Sequence, residues 1–143
     1  MDTAPLYLTT VAARGGRHGF IKSEDGILDL KLALPPQLGG KGGATNPEQL
    51  FAGGYASCFE NALLHVGREA NHHFADDDVE VVAEIGLSRN ELGAFMLSAA
   101  LGVTIAGINQ GTADRLVQRA HAICPYSNAI KGNVDVKIGV KVR

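Results

Sequence analysis

The sequence predicts an α+β fold built around antiparallel sheet. Three observations carry this. Val79 to Ser88 and Phe95 to Ile105 alternate apolar and polar with period two and are joined by a short loop, the pattern of a hairpin. The segment opening at Asn46 has an apolar arc too wide for a surface helix, so it is read as a central buried one. Strands come first, then helix, hairpin, helix and strand, an order that fits hairpin connections rather than βαβ units.

The N-terminal third reads as short strands. Leu6 to Ala13 is the first, and Gly15-Gly16-Arg17-His18-Gly19 turns the chain with residues that tolerate positive φ. His18 to Lys22 pairs back. After a turn at Ser23 to Gly26, Leu28, Leu30, Leu32 and Leu34 alternate with Asp29, Lys31 and Ala33. Pro35-Pro36 ends that strand, because proline has no N–H for a ladder. Gly39 to Gly43 is a loop.

Asn46 is a good N-cap, Pro47 suits the first helical position, and Gln49 can close a capping-box-like pair. Leu50, Phe51, Tyr55, Phe59, Leu63, Leu64 and Val66 follow. The pair Gly53-Gly54 leaves open whether this helix kinks or splits. Thr112 to Ile123 is amphipathic, with Ala113, Leu116, Val117, Ala120 and Ile123 on one side. Pro125 disfavours helical geometry at Cys124, so the helix ends there. Tyr126, Ser127 and Asn128 read as a turn or short helix, and Val134, Val136, Ile138, Val140 and Val142 as a last strand.

A chain of 143 residues, 45% hydrophobic and 20% charged, fits a single globular domain over 1–143. A formal net charge of −2 makes no electrostatic case for nucleic acid. No apolar run is long enough for a bilayer, and no signal peptide is recognisable, so the expectation is a soluble protein of a reducing cytoplasm with no membrane partner. The Asn46 helix is apolar nearly all round, yet few elements are available to wrap it. A homodimer that sandwiches the helix answers that burial problem.

Two cysteines, Cys58 and Cys124, are the residues that point to chemistry. In a reducing compartment a disulfide is more often transient and catalytic than structural. On periodicity alone Cys58 reads equally well as a small core hydrophobe and as a nucleophile. A thiolate in an apolar site needs a nearby cation. Arg17 is one candidate, although by itself it reads as a solvated turn residue. Glu48 is explained adequately by the helix dipole. The spacing is not Cys-x-x-Cys, and whether the two cysteines meet in space is open. The five histidines, His18, His65, His72, His73 and His121, have no zinc-like spacing with cysteine, so no metal is expected. There is no hydrolase triad signature and no phosphate loop.

Three runs, GGRHG around Arg17, NPEQLFAGGYASCF from Asn46 to Phe59 and CPYSNAIKGN from Cys124 to Asn133, resemble the organic hydroperoxide resistance (Ohr) family of the wider Ohr/OsmC superfamily. The second and third runs are long and specific. The CPYSNA run resembles the Ohr branch more than the OsmC branch. The likeness extends over nearly the whole chain.

That resemblance implies a thiol-dependent peroxidase with no bound cofactor. Cys58 matches the peroxidatic cysteine and Cys124 the resolving one. Arg17 matches the arginine that faces the thiolate, and Glu48 the carboxylate that holds it. The implied fold is an intertwined homodimer, antiparallel sheets wrapped around central buried helices. The implied reaction reduces organic hydroperoxides, including fatty-acid ones, through a Cys58 sulfenate and a Cys58–Cys124 disulfide. The implied reductant is dihydrolipoamide, a lipoyl group often carried on lipoylated proteins. An apolar pocket favours alkyl chains by about 0.8 kcal/mol per buried methylene, and Phe51 is a candidate substrate-binding side chain. Three other readings stay open on the sequence: an OsmC-type peroxidase of broader specificity, a redox-sensing module without turnover, and a structural dimer with two inert core cysteines.

Overall fold

The computed structural model describes residues 3–143. The chain divides into two compact units, 1–50 and 51–143.

The first unit is a three-stranded antiparallel meander of β1 (Val11–Arg14), β2 (Phe20–Ser23) and β3 (Asp29–Lys31). Its register sets Val11 opposite Ser23 and Phe20 opposite Lys31. The first strand is shorter than the expected Leu6 to Ala13. Because β2 stops at Ser23, residues 6–9 have no strand opposite them, and Leu6, Tyr7 and Leu8 are exposed. Between β1 and β2, Gly16–His18 forms one 3-10 turn, entered through Gly15 at φ 81° and Gly16 at φ 59°. A side chain is strained in that left-handed region, so glycine suits both positions. The predicted Leu28-to-Leu34 strand contracts to β3 plus a single parallel bridge, Leu32 to Thr45. Leu32 is buried, while Leu30 is exposed.

Helix α1 (Pro47–Glu69) opens in the first unit and continues through the second. Asn46 caps it, its side-chain oxygen accepting the Gln49 N–H at 2.9 Å. The Gln49 side chain accepts from the Thr45 hydroxyl at 2.8 Å rather than from the Asn46 backbone N–H, so only the Asn46 half of the expected capping box is present. The helix runs unbroken through Gly53-Gly54. It is also less evenly apolar than expected. Tyr55, Phe59, Ala62, Leu63 and Val66 are buried, while Gly53, Ser57, Asn61 and His65 form an exposed stripe at four-residue spacing.

In the second unit β4 (Val79–Arg89) and β5 (Phe95–Ile105) form the predicted antiparallel hairpin, Val79 opposite Ile105 and Arg89 opposite Phe95. Helix α2 (Gln110–Ile123) is capped by Asn109, whose side chain accepts the Thr112 N–H. Ala113, Leu116, Val117 and Ala120 are buried, whereas Ile123 at the end of the predicted face is exposed. Cys124 is extended at φ −65°, ψ 123°, the geometry Pro125 imposes on its predecessor. It joins α2 to the short α3 (Pro125–Ile130). Strand β6 (Val136–Val142) then pairs with β5 in parallel, Ala99 opposite Val136. The sheets are antiparallel as expected except at this edge, where α2 and α3 form a helical crossover that returns the chain in its original direction. Val103, Ile105, Phe59, Leu63 and Leu116 form the centre of the core, with Cys124 inside it.

Candidate active site

The sequence-predicted residues fall into two groups, one in each unit. In the first, the turn after β1 carries Arg17 and the start of α1 carries Glu48. Their side chains form a bidentate pair: Arg17 Nη1 donates to Glu48 Oε2 at 2.8 Å and Nη2 to Oε1 at 2.5 Å. Two parallel bonds fix the plane of the guanidinium. The pair is half-buried, and each partner favours the charged form of the other. Glu48 is held below the usual carboxylate range, first by the hydrogen bond from Arg17. Arg17 is raised, first by the same bond.

In the second group, Cys58 lies three turns into α1, and Cys124 at the junction of α2 and α3. Both are free thiols; Cys58 is half-buried and Cys124 fully buried. The structure brings them together. The Cys58 thiol is pushed up by burial first, then by Cys124 beside it, and partly offset by a hydrogen bond from the Tyr126 backbone N–H. The Pro125 turn that ends α2 thus both buries Cys124 and aims the next amide at Cys58.

Phe51 stands one helical turn before Tyr55. Its ring meets Tyr126 edge-on, centroids 5.9 Å apart at 80°. With Phe95, Met96, Leu97, Ile130 and Val134 it lines a cavity of about 280 Å³.

Sequence reasoning passed over the residues that pack around the thiols. Tyr55 and Tyr126 stack with centroids 5.8 Å apart at 27°. Tyr55 is fully buried and hydrogen-bonded to Ser127 at 2.7 Å, and Ser127 is bonded to His121 at 2.9 Å. One signal was available: Tyr55 precedes Cys58 by three residues on α1, a spacing at which side chains share a helix face. Among the described residues no cluster of three His, Cys, Asp or Glu side chains is placed to hold a metal ion. Among the described residues no helix is long and apolar enough to cross a membrane.

Residues 40–139 match the family described as OsmC-like protein. The chain belongs to the OsmC-like family. The matched span of this OsmC-like chain takes in Glu48, Phe51, Cys58 and Cys124, and Arg17 precedes it. Organic hydroperoxide resistance protein OhrB of Bacillus subtilis is 43% identical over 137 residues, covering 95% of this chain and 98% of that one. Organic hydroperoxide resistance protein-like 2 of Staphylococcus saprophyticus is 42% identical over 139 residues, with coverage of 96% and 97%. A crystal structure of an organic hydroperoxide resistance protein OsmC from Legionella pneumophila superposes with a TM-score of 0.92 at 50% identity, covering 97% of this chain and all of the other. The Ohr resemblance read from the three sequence runs is therefore supported over nearly the full length, as is the α+β fold.

Proposed function

We propose that this protein is a thiol-dependent peroxidase that reduces organic hydroperoxides to alcohols in oxidative-stress defence. The observation that carries the reading is the pair of free thiols: Cys58 half-exposed, Cys124 buried directly beside it. A reactive thiol with a protected second thiol in reach is the arrangement for oxidation and resolution. The names of the relatives support the substrate class.

In this reading the Cys58 thiolate attacks the distal peroxide oxygen. The O–O bond breaks, its electron pair leaves on the alkoxide, which takes a proton to become the alcohol, and Cys58 becomes a sulfenic acid. Cys124 then attacks the Cys58 sulfur and expels hydroxide, which is protonated to water, leaving the Cys58–Cys124 disulfide. A dithiol restores both thiols; dihydrolipoamide or a lipoylated protein is the reductant this reading assigns. Burial and Cys124 disfavour the Cys58 thiolate, so the chemistry requires a cation. The reading assigns that role to Arg17, oriented by Glu48, which also hydrogen-bonds the charge developing on the peroxide. Phe51 and its apolar cavity take the alkyl group.

Exposed Leu6, Tyr7 and Leu8, with Phe95, Met96 and Leu97 at the end of the hairpin, support a homodimer that covers them. One Ohr/OsmC-like domain over 1–143 is supported by relatives whose similarity covers 95–96% of the chain. A reducing cytoplasm is the compartment in which two free thiols persist and are regenerated.

The test is a free-thiol count after one equivalent of cumene hydroperoxide, with hydrogen peroxide in parallel. Wild type loses both thiols; Cys58→Ser loses none; Cys124→Ser accumulates a sulfenate. A slower response to hydrogen peroxide separates this reading from a peroxidase of broader specificity. Retention of both thiols in wild type removes the reading.

A further inference from the structure

Three polar side chains are buried among the described residues: Ser23, Asn46 and Ser127. Ser23 closes the turn before β3 through the Leu28 N–H, and Asn46 caps α1. Ser127 serves no such local purpose. Its hydroxyl bonds Tyr55 Oη at 2.7 Å on one side and His121 Nδ1 at 2.9 Å on the other. Tyr55 lies on α1, three residues before Cys58, and His121 lies on α2, three residues before Cys124. A buried phenol needs one partner, and Ser127 supplies it. The further bond to His121 goes beyond that need, and it makes Ser127 the point at which α1, α2 and α3 are joined.

The chain around Cys124 needs such a joint. Helix α3 has six residues, too few to hold itself rigid. Cys124 is fixed locally at both ends: its N–H donates to the Ala120 carbonyl at 2.8 Å, and its carbonyl accepts the Asn128 N–H at 3.0 Å. The Asn128 side chain reaches back to the Ala122 carbonyl at 3.1 Å. These bonds make the end of α2, Cys124 and the first turn of α3 one corner, but none of them crosses to α1, which carries Cys58. The stack of Tyr126 on Tyr55 does cross, yet ring contacts are broad in geometry. A hydrogen bond between two buried hydroxyls is short and directional, so it fixes where the corner sits on α1.

We propose that Ser127 is a positioning residue for disulfide closure: it ties the Cys124 corner to α1 and so sets the effective concentration of the Cys124 thiol at Cys58. This rests on the two-cysteine peroxidase reading. In that step the Cys124 sulfur attacks the sulfur of the Cys58 sulfenic acid. The S–S bond forms, the S–O bond breaks, and the departing hydroxide takes the Cys124 proton as water. Ser127 itself does not react. It acts by geometry, since a misplacement of about 1 Å can cost about 10²-fold in rate. Peroxide attack uses Cys58 and a diffusing substrate, so it depends far less on where the corner sits.

The experiment has two readouts on the full chain. One is rapid-quench mass spectrometry after one equivalent of cumene hydroperoxide, timing sulfenate and disulfide separately. The other is equilibration of the two cysteines in a dithiothreitol redox buffer. Ser127→Ala is expected to slow disulfide formation relative to sulfenate formation by about tenfold or more. It also shifts the thiol–disulfide equilibrium about tenfold toward the thiols, a rise of about 30 mV in reduction potential. Tyr55→Phe cuts the same bond from the α1 side and leaves Ser127 with His121. It shows both shifts, and the double variant adds little to either. A merely structural role destabilises the oxidised and reduced protein alike and moves neither ratio. Wild-type ratios in Ser127→Ala and Tyr55→Phe therefore overturn the proposal, as does equal slowing of both steps with an unmoved equilibrium. Either result leaves the peroxidase reading standing. A wild-type protein that closes its disulfide in redox buffer but ignores cumene hydroperoxide overturns the peroxidase reading, and the equilibrium shift then decides the role of Ser127 alone. Wild type that forms no disulfide in either assay overturns both. Should Ser127→Ala fail to fold, Tyr55→Phe decides.

Discussion

The phenol of Tyr126 occupies the space that a β-carbon on Gly54 would need. This explains why a glycine sits inside a long helix, where it weakens the backbone. Gly54→Ala recovers about 1 kcal/mol of helix propensity but overpacks the contact at a cost of about 1–3 kcal/mol. The larger effect decides, and a net loss of stability is expected. The displaced Tyr126 also draws its backbone N–H away from Cys58, removing the interaction that favours the thiolate. Thermal unfolding and the pH dependence of Cys58 alkylation check the two effects. Gly54→Ala combined with Tyr126→Leu is expected to recover part of the stability by relieving the clash. A Gly54→Ala protein as stable as wild type, with unchanged alkylation, would sink the account.

The Arg17–Glu48 pair contributes little stability and much orientation. Arg17 keeps about a third of its side-chain surface in water, 34%, against 17% for Glu48. Screening limits such a pair to about 0.5 kcal/mol. Because the folded carboxyl is held below its ordinary range, this contribution is complete above about pH 4.3 and is lost as pH falls through the lowered folded value. Function is expected to respond far more. Arg17→Leu slows peroxide reduction by about 10²-fold or more through loss of the cation. Glu48→Gln leaves the cation but loosens its plane, so its loss is smaller. Rates for both variants beside urea unfolding at pH 7 and pH 3.5 make the check.

Much of this was legible in the sequence where periodicity is strong. The hairpin spanning Val79 to Ile105 and the buried face of Ala113, Leu116, Val117 and Ala120 followed from alternation and helical spacing. Cys124 followed from Pro125. The N-terminal strand did not, because a strand-prone run such as Leu6 to Ala13 does not reveal whether a partner lies opposite. The direction of β6 was hidden as well, since parallel and antiparallel strands alternate alike. Gly53-Gly54 invited a break, yet the helix runs unbroken through both. The meeting of Cys58 with Cys124 depends on how α1 lies against α3, which no local pattern encodes.

Cys124 bears on the ionisation of Cys58. Cys124 is the second cause, after burial, that pushes the Cys58 thiol up. Cys124→Ser removes that cause, so the inflection of Cys58 alkylation against pH moves downward. The linkage to stability has the opposite sense from that of Glu48. An unfolded thiol ionises near pH 8.5, ahead of folded Cys58. The neutral form therefore stabilises the fold fully below that pH, and the benefit is lost as pH rises through the folded value. In Cys124→Ser the loss is expected over a narrower span. Alkylation rates and unfolding between pH 6 and 10 test both, and an unmoved inflection would show that the thiols are too far apart to interact.

On the proposed peroxidase reading, Phe51 ties substrate preference to the same aromatic cluster. Its ring lies edge-on to both Tyr55 and Tyr126 and walls the apolar cavity with Phe95, Met96 and Leu97. Phe51→Ala removes apolar surface that an alkyl hydroperoxide can bury, whereas hydrogen peroxide has no carbon to place there. At about 25 cal/mol per Å², losing some 80 Å² of contact costs about 2 kcal/mol, or roughly thirtyfold. Kcat/KM for cumene hydroperoxide is expected to fall by about that factor, and kcat/KM for hydrogen peroxide by much less. Equal losses for both would mean that Phe51 supports the thiols through Tyr126 rather than the substrate, while no loss for either would remove it from the site.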